Sequence, residues 1–361
     1  QMMDLRISGM LIAWMLLLAF SSVMVGSAVI ALDGNYLSKH LFYVVLSVVA
    51  FVIAFAFPPA MWNRLYLLGW GAAVTICVLV LLPGVGHEAN GANRWIDLGG
   101  FTLQAAEVAK FGLCIYLAGY LARHGDKLKD DSGVLFLPLG MVAIVCALLI
   151  AEPDLGSAVV ILTATIGLLF MAGAQLRYFF FLFIAGSLLL GLLVWQAPYR
   201  LERFITFMDP WSVQYDSGYQ LTQALIAFGR GEVFGLGLGE GVQKLFYLPE
   251  AHTDFIFAVI AEELGIIGAI GVTLGLAYLI MQILGLGKRS ITDNKTFAGY
   301  CAYFFGLVLA LQLFVSLGVN TGVLPTKGLT LPFISYGGNS LIVLCSLFGL
   351  VMRTNLETGR G

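Results

Sequence analysis

Apolar residues along this chain gather into blocks of about 20, the length an α-helix needs to cross roughly 30 Å of hydrocarbon. The blocks run over 9–32, 41–60, 65–83, 103–121, 134–151, 156–174, 178–197, 252–285, 297–320 and 332–352. A membrane β-barrel would instead show short segments of alternating hydropathy, so the pattern argues for helices. The eighth block is long enough to be tilted or to extend beyond the bilayer. The expectation is an all-α integral membrane protein with about ten transmembrane helices, forming one polytopic domain over 1–361. Connections are short except 84–102, 122–133 and a large loop at 198–251 between the seventh and eighth spans. No repeat suggests a duplicated transporter.

Composition agrees with the pattern. Hydrophobic residues make up 60% of the chain and charged residues only 11%, against roughly a quarter charged in a soluble domain. Net charge is −2 with no basic run, so nothing points to nucleic acid. Cys77, Cys114, Cys146, Cys301 and Cys345 all lie in apolar blocks without CxxC spacing, which argues against a disulfide framework or a metal site. No small-residue cleavage site follows the first block, so it reads as a span and not as a removed signal peptide.

Lysine and arginine in the loops set the orientation. With the N-terminus in the cytoplasm, the short inner loops take most of the positive charge. Lys39, Arg94, Arg200, Arg203, Arg230, Lys244 and Lys327 then lie outside, and four of those seven sit in the long loop, where the rule is weak. The expected topology is N-in and C-in. The glycine-rich and polar segments 84–102, 198–251 and 321–331 then share the outer face.

Ionisable residues at membrane depth are costly and usually functional. Asp254 stands at the outer entry of the eighth span, with Glu250 and His252 close enough in sequence to tune it. Ala258, Ala261 and Gly265 follow at helical spacing, a strip suited either to close helix packing or to a groove for an apolar chain. A plain N-terminal carboxylate favoured by the helix dipole is the bland alternative. Glu107 and Lys110 are neighbours on one helix face, either as a structural ion pair or with Glu107 orienting Lys110 toward an anionic head group. In Pro325–Pro332 and Ser335–Ser340, glycines and prolines interrupt an apolar stretch. Such backbone is tolerated at membrane depth only against protein or water, and Lys327 beside it could meet phosphate. Arg94, next to Trp95, supplies another cation on that side. The Glu152-Pro153-Asp154 turn reads as structural, with Asp154 capping the next helix. No HExxH, P-loop or nucleophile elbow is present, and the glycines of 229–241 follow no soluble strand.

Together these segments resemble the SEDS family (shape, elongation, division and sporulation), polytopic glycosyltransferases that polymerise lipid II into glycan strands. NGANRWI, AEPDLG, SGYQ at 217–220, VQKLFYLPEAHTDFIFAVIAEELG and LPTKGLTLPFISYGG occur in the family's order across nearly the whole chain. Their wording is nearer the division branch than the elongation branch. Two departures stand out: Ala105 occupies the place of the family's usual proline before Ala106-Glu107, and Asn339 interrupts its GGSS run.

The resemblance implies that Asp254 is the catalytic carboxylate, a general base for the acceptor sugar hydroxyl. It also implies that Arg94, Glu107, Lys110, Gln220, Lys244, His252, Lys327 and Ser335 bind the sugar and pyrophosphate. No metal ligand set is evident, although a divalent cation (Mg or Mn) could share the phosphate charge. The strip below Asp254 would admit the polyprenyl tail. Implied partners are lipid II, an FtsI-like class B penicillin-binding protein and divisome membrane proteins like FtsQ, FtsL and FtsB, at the septum of a bacterial inner membrane. A lipid II flippase and a non-catalytic scaffold are the alternative readings.

Overall fold

The computed structural model describes residues 2–32, 34–89, 92–97, 99, 102–128, 131–326 and 328–358. Helices occupy all ten apolar blocks. In chain order they are α1 (Met2–Ala28), α2 (Tyr36–Ala56), a short α3 (Pro59–Arg64), α4 (Tyr66–Leu81), α5 (Ala105–His124), α6 (Ser132–Ala151), α7 (Leu155–Met171) and α8 (Leu176–Trp195). They continue with α9 (Pro198–Met208), α10 (Tyr219–Gly231), α11 (Ile256–Thr292), α12 (Thr296–Asn320) and α13 (Gly338–Thr358). Among the described residues seven helices are long and apolar enough to cross a membrane, and three more apolar helices, Tyr66–Leu81, Leu155–Met171 and Gly338–Arg353, are shorter. The protein is a multi-pass helical membrane protein.

Helices α5 and α12 form the centre. Nearly every residue of α5 from Ala105 to Leu121 is buried, because α4 packs along one side of it and α12 along another. Around this centre α2 lies along α13, and α11 lies along α12. Helix α8 is peripheral and has no buried residue, so its phenylalanines and leucines are free to face lipid. All five cysteines are unpaired and buried.

Two segments differ from the expectation of plain loops. Residues 86–104 contain a three-stranded antiparallel sheet, β1 (Gly86–Ala89), β2 (Ala92–Asp97) and β3 (Thr102–Gln104). Its register pairs Trp95 with Gln104 and Ile96 with Leu103, and Ile96 is buried in the bundle. The large loop holds α9 and α10 and then runs back against α11.

That return explains the unusual length of α11. The helix is interrupted at Gly265, whose φ of 68° and ψ of −170° lie in a region open essentially to glycine alone. A break frees backbone groups that must find partners in apolar surroundings. The segment after α10 supplies them. Leu236 and Gly237 donate their N–H groups to the carbonyls of Glu262 and Glu263, both at 3.0 Å. Ile266 and Ile267 donate to the carbonyls of Glu232 and Val233 at 3.0 and 3.3 Å. The eighth apolar block, expected to be tilted or to extend beyond the bilayer, is therefore two helical pieces spliced by a crossing segment of chain.

The same crossing decides the fate of the strip beneath Asp254. Ala258 and Ala261 are fully buried, and the backbone of Ala261 and Glu262 fills the space where a Cβ on Gly231 would stand. The small residues let α10 approach closely, so the expected groove for a polyprenyl tail is occupied by protein.

Gly265→Ala should destabilise the protein by at least about 2 kcal/mol, combining disallowed backbone with a clash against Val233 and Gly235. Gly71→Ala, with nothing within 4 Å of the added methyl, should be neutral or stabilising by up to about 1 kcal/mol. Unfolding midpoints of the two variants in detergent check the contrast.

Candidate active site

Asp254 lies in the turn that precedes α11, outside the helix proper. Three successive carbonyls of that turn are each held by a donor from elsewhere. The backbone N–H of Tyr336 donates to His252 O at 2.9 Å, the Ser335 hydroxyl donates to Thr253 O at 2.6 Å, and Asn320 Nδ2 donates to Asp254 O at 2.9 Å. Asn320 also accepts the Ala258 N–H at 3.1 Å and donates to Ser316 O at 2.9 Å. One amide at the end of α12 thus shares the Ala258 N–H with Phe255 O, which that donor reaches at 3.0 Å, and fixes the backbone of Asp254. Inside the turn, the N–H groups of Thr253 and Phe255 both donate to Glu250 O.

The Asp254 side chain is half-buried and faces Gly328, where a Cβ would come within 3.2 Å of Oδ2. Burial pushes its carboxyl up to about 7, and the negative charge of Glu250 adds to the rise, while Arg203 and Arg94 pull it down. Arg203 comes from α9, a helix the sequence marked only by its charges. Arg94 comes from β2. Its Nε donates to Glu152 O at 3.3 Å and its Nη2 to Pro153 O, so the turn between α6 and α7 aims the guanidinium. Asp154 caps α7 as expected, accepting Ser157 N–H at 3.1 Å and Ser157 Oγ at 2.8 Å. Glu152, read from sequence as structural, is buried, with the Cys77 thiol, Asp154 and Arg94 all acting on its carboxyl. Burial pushes that carboxyl up to about 8, aided by Asp154. The Cys77 thiol and the Arg94 charge oppose that rise.

The remaining expected site residues divide. His252 is half-buried, and its ring packs edge-on against Tyr36 and beside Tyr336. Burial lowers its pKa against the opposing charge of Glu250, so the imidazole is neutral near pH 7. Gln220 is half-buried in the first turn of α10. Glu107 and Lys110 form a buried pair at 2.8 Å. Lys110 is 1% exposed, so the bland reading of an internal ion pair describes this geometry. Glu107 keeps Oε2 without a hydrogen bond among the described residues. Lys327 lies outside the described residues.

Two expectations need correction. Ser335 spends its hydroxyl on the protein, donating to Thr253 O and accepting Leu331 N–H at 2.8 Å. It is a strut of the Asp254 turn. Lys244 is 3% exposed, and its ammonium donates to Glu263 Oε1 at 2.6 Å, Ser27 Oγ at 2.7 Å and Gly239 O at 2.7 Å. With its donors used inside the fold, it has none left for a pyrophosphate. Glu263 also accepts Gly239 N–H at 3.0 Å, while Glu262 accepts Val242 and Gln243 N–H and pairs with Arg230 at 3.1 Å. These carboxylates fasten the crossing segment to α11. Among the described residues no group of three or more His, Cys, Asp or Glu side chains is placed to hold a metal.

The sequence profile of the FtsW/RodA/SpoVE family, described as cell cycle proteins, matches residues 3–359. The chain is 46% identical to a probable peptidoglycan glycosyltransferase FtsW of Saccharophagus degradans, over 90% of this chain and 84% of the relative. It is 44% identical to one of Nitrosococcus halophilus, over 98% of this chain and 92% of the relative. Among solved structures, one described as "Structural coordination of polymerization and crosslinking by a peptidoglycan synthase complex" superposes with a TM-score of 0.82, at 28% identity over 98% of both chains. The rod shape determining protein RodA of Thermus thermophilus superposes with a TM-score of 0.72, at 27% identity over 98% of this chain and 97% of that one.

Lys244→Met should cost about 3–5 kcal/mol of stability by stranding the buried Glu263 charge. The double variant Lys244→Met/Glu263→Gln, which removes both charges, should recover most of it. Thermal unfolding tests this, and a raised KM with an unchanged unfolding midpoint in Lys244→Met would return the lysine to the substrate.

Proposed function

Because the chain belongs to the FtsW/RodA/SpoVE family of cell cycle proteins, we propose that it is a peptidoglycan glycosyltransferase that polymerises lipid II into glycan strands for the division septum. The observation that carries the mechanism is the Asp254 carboxyl. It is held by a turn anchored at three carbonyls, raised to about 7, with Arg94 and Arg203 in electrostatic reach.

The reaction needs a weak nucleophile activated and a charged leaving group accepted. The 4-hydroxyl of an acceptor GlcNAc attacks the anomeric carbon of a lipid-linked MurNAc. The new glycosidic C–O bond forms as the bond from that carbon to the pyrophosphate oxygen breaks. Asp254 takes the hydroxyl proton, and undecaprenyl pyrophosphate leaves with the electron pair. A base is most effective when its pKa lies near the working pH, which suits a carboxyl lifted to about 7. Pyrophosphate is already a good leaving group, so a second carboxylic acid of the glycosidase kind is unnecessary. Direct displacement inverts the anomeric centre. Arg94 is the cation best placed for the leaving group, since the α6–α7 turn holds it by carbonyls and no ion pair with a carboxylate engages it among the described residues. Lys327 joins it in this reading through its place beside Gly328, which faces the base.

In the same proposal all ten apolar helices span the bilayer, with both termini in the cytoplasm and the Asp254 turn on the periplasmic side. The cation balance of the short loops supports that orientation. A class B penicillin-binding protein is the natural partner, because new strands need cross-linking and the similar structure belongs to a complex that couples the two activities.

Asp254→Asn should reduce strand formation from labelled lipid II at least about 100-fold while leaving the unfolding midpoint close to wild type. Equal glycan ladders from both proteins would remove Asp254 as the base. No ladders from either, with the transpeptidase bound, would favour a flippase or scaffold. Since the ionised form is active, kcat/KM should fall as pH drops through about 7. An acid limb near the ordinary carboxylate range would contradict the raised value.

A further inference from the structure

Beside Asp254 stands a cluster of rings that the polymerisation chemistry above leaves unused. Tyr36 from the start of α2, His252 from the Asp254 turn and Tyr336 from the segment before α13 meet in one group. Their centroids lie 5.5 Å (Tyr36–His252), 5.9 Å (Tyr36–Tyr336) and 5.4 Å (His252–Tyr336) apart, with interplanar angles of 70°, 63° and 59°. All three are half-buried. The rings meet edge-on or tilted, and each residue keeps part of its surface exposed.

The group is built on a polar second layer. His40 sits behind Tyr336 with centroids 5.8 Å apart. Its Nε2 is 3.0 Å from Ser21 Oγ, which donates to Ile334 O at 2.7 Å. His40 and Ser21 are both fully buried, where polar groups are costly unless hydrogen-bonded as these are to each other. The Tyr336 N–H bond to His252 O ties the cluster to the base-bearing turn, two residues from Asp254. Here three segments distant in sequence converge on the candidate base.

We propose that Tyr36, His252 and Tyr336 form a stacking subsite for a pyranose ring of the glycan strand. The proposal rests on the glycosyl-transfer reading above. Sugar rings present a face of C–H bonds carrying partial positive charge, and aromatic faces are negative, so the two stack while the sugar hydroxyls stay hydrated. A stacked ring beside Asp254 would hold the strand between successive additions, and a neutral His252 adds an aromatic face without competing as a charge.

The test uses the full chain with its transpeptidase partner in liposomes, with labelled lipid II. Tyr36→Leu keeps an apolar side chain but removes the ring. It should shorten glycan strands and raise KM by about 3- to 10-fold, with kcat for the first coupling within about twofold of wild type. Tyr36→Trp should restore strand length and KM. Unchanged KM and strand length in a folded Tyr36→Leu protein would overturn the subsite, as would a Trp variant no better than Leu. A second measurement does not depend on turnover or on the Leu variant folding. In Asp254→Asn/Tyr36→Trp, a soluble GlcNAc–MurNAc tetrasaccharide should change the difference in tryptophan emission relative to Asp254→Asn alone, and a short-chain prenyl pyrophosphate should not. A response to the prenyl compound alone would overturn the sugar assignment. Wild-type protein forming no strands would overturn the polymerase reading itself, which the ladder of the unmodified protein reports separately.

Discussion

In an apolar bundle a backbone N–H or C=O without a partner costs several kcal/mol, and two irregular places in this protein are arranged around that constraint. At the Gly265 break the freed groups of α11 pair with residues 232–237. At the turn before α11, the carbonyls of His252, Thr253 and Asp254 take donors from Tyr336, Ser335 and Asn320. Pairing the backbone therefore fixes the position of Asp254. The start of α11, the end of α12 and the segment before α13 are drawn to one point because these hydrogen bonds join them.

Charge is divided between fastening and chemistry. Glu262, Glu263, Arg230 and Lys244 close on one another and on backbone amides, and Glu107 closes on Lys110. Buried pairs of this kind add little net stability but are costly to break, which suits clamps that specify one arrangement. Arg94 and Arg203 differ. The first is held by carbonyl oxygens and the second lies exposed on α9, and both act on Asp254 through space.

The apolar pattern determined the helical class, the ten apolar helices and their approximate limits, because the length of hydrocarbon to be crossed is written directly in block length. Asp254 and Arg94 were legible as a carboxylate and a cation in glycine-rich segments sharing one face, and the ordered motifs pointed to the family. Sequence could not separate Lys244 from Arg94: both are cations in segments expected outside, and only their partners distinguish a clamp from an available charge. The sheet over 86–104 was hidden because its strands are short and mostly polar.

Tertiary structure alone decided the matters that depend on contacts between distant segments. The alanine strip became a packing surface because α10 lies on it, and the long eighth block became two helices because chain from 232–237 was available to splice them. Asn320 had no local signal, since its partners lie on α12, on α11 and in the turn before α11, and Tyr36 joins His252 across more than 200 residues. Hydropathy is a local property and was read residue by residue. Hydrogen-bond satisfaction and electrostatic pairing are pairwise properties, settled only when the chain is folded.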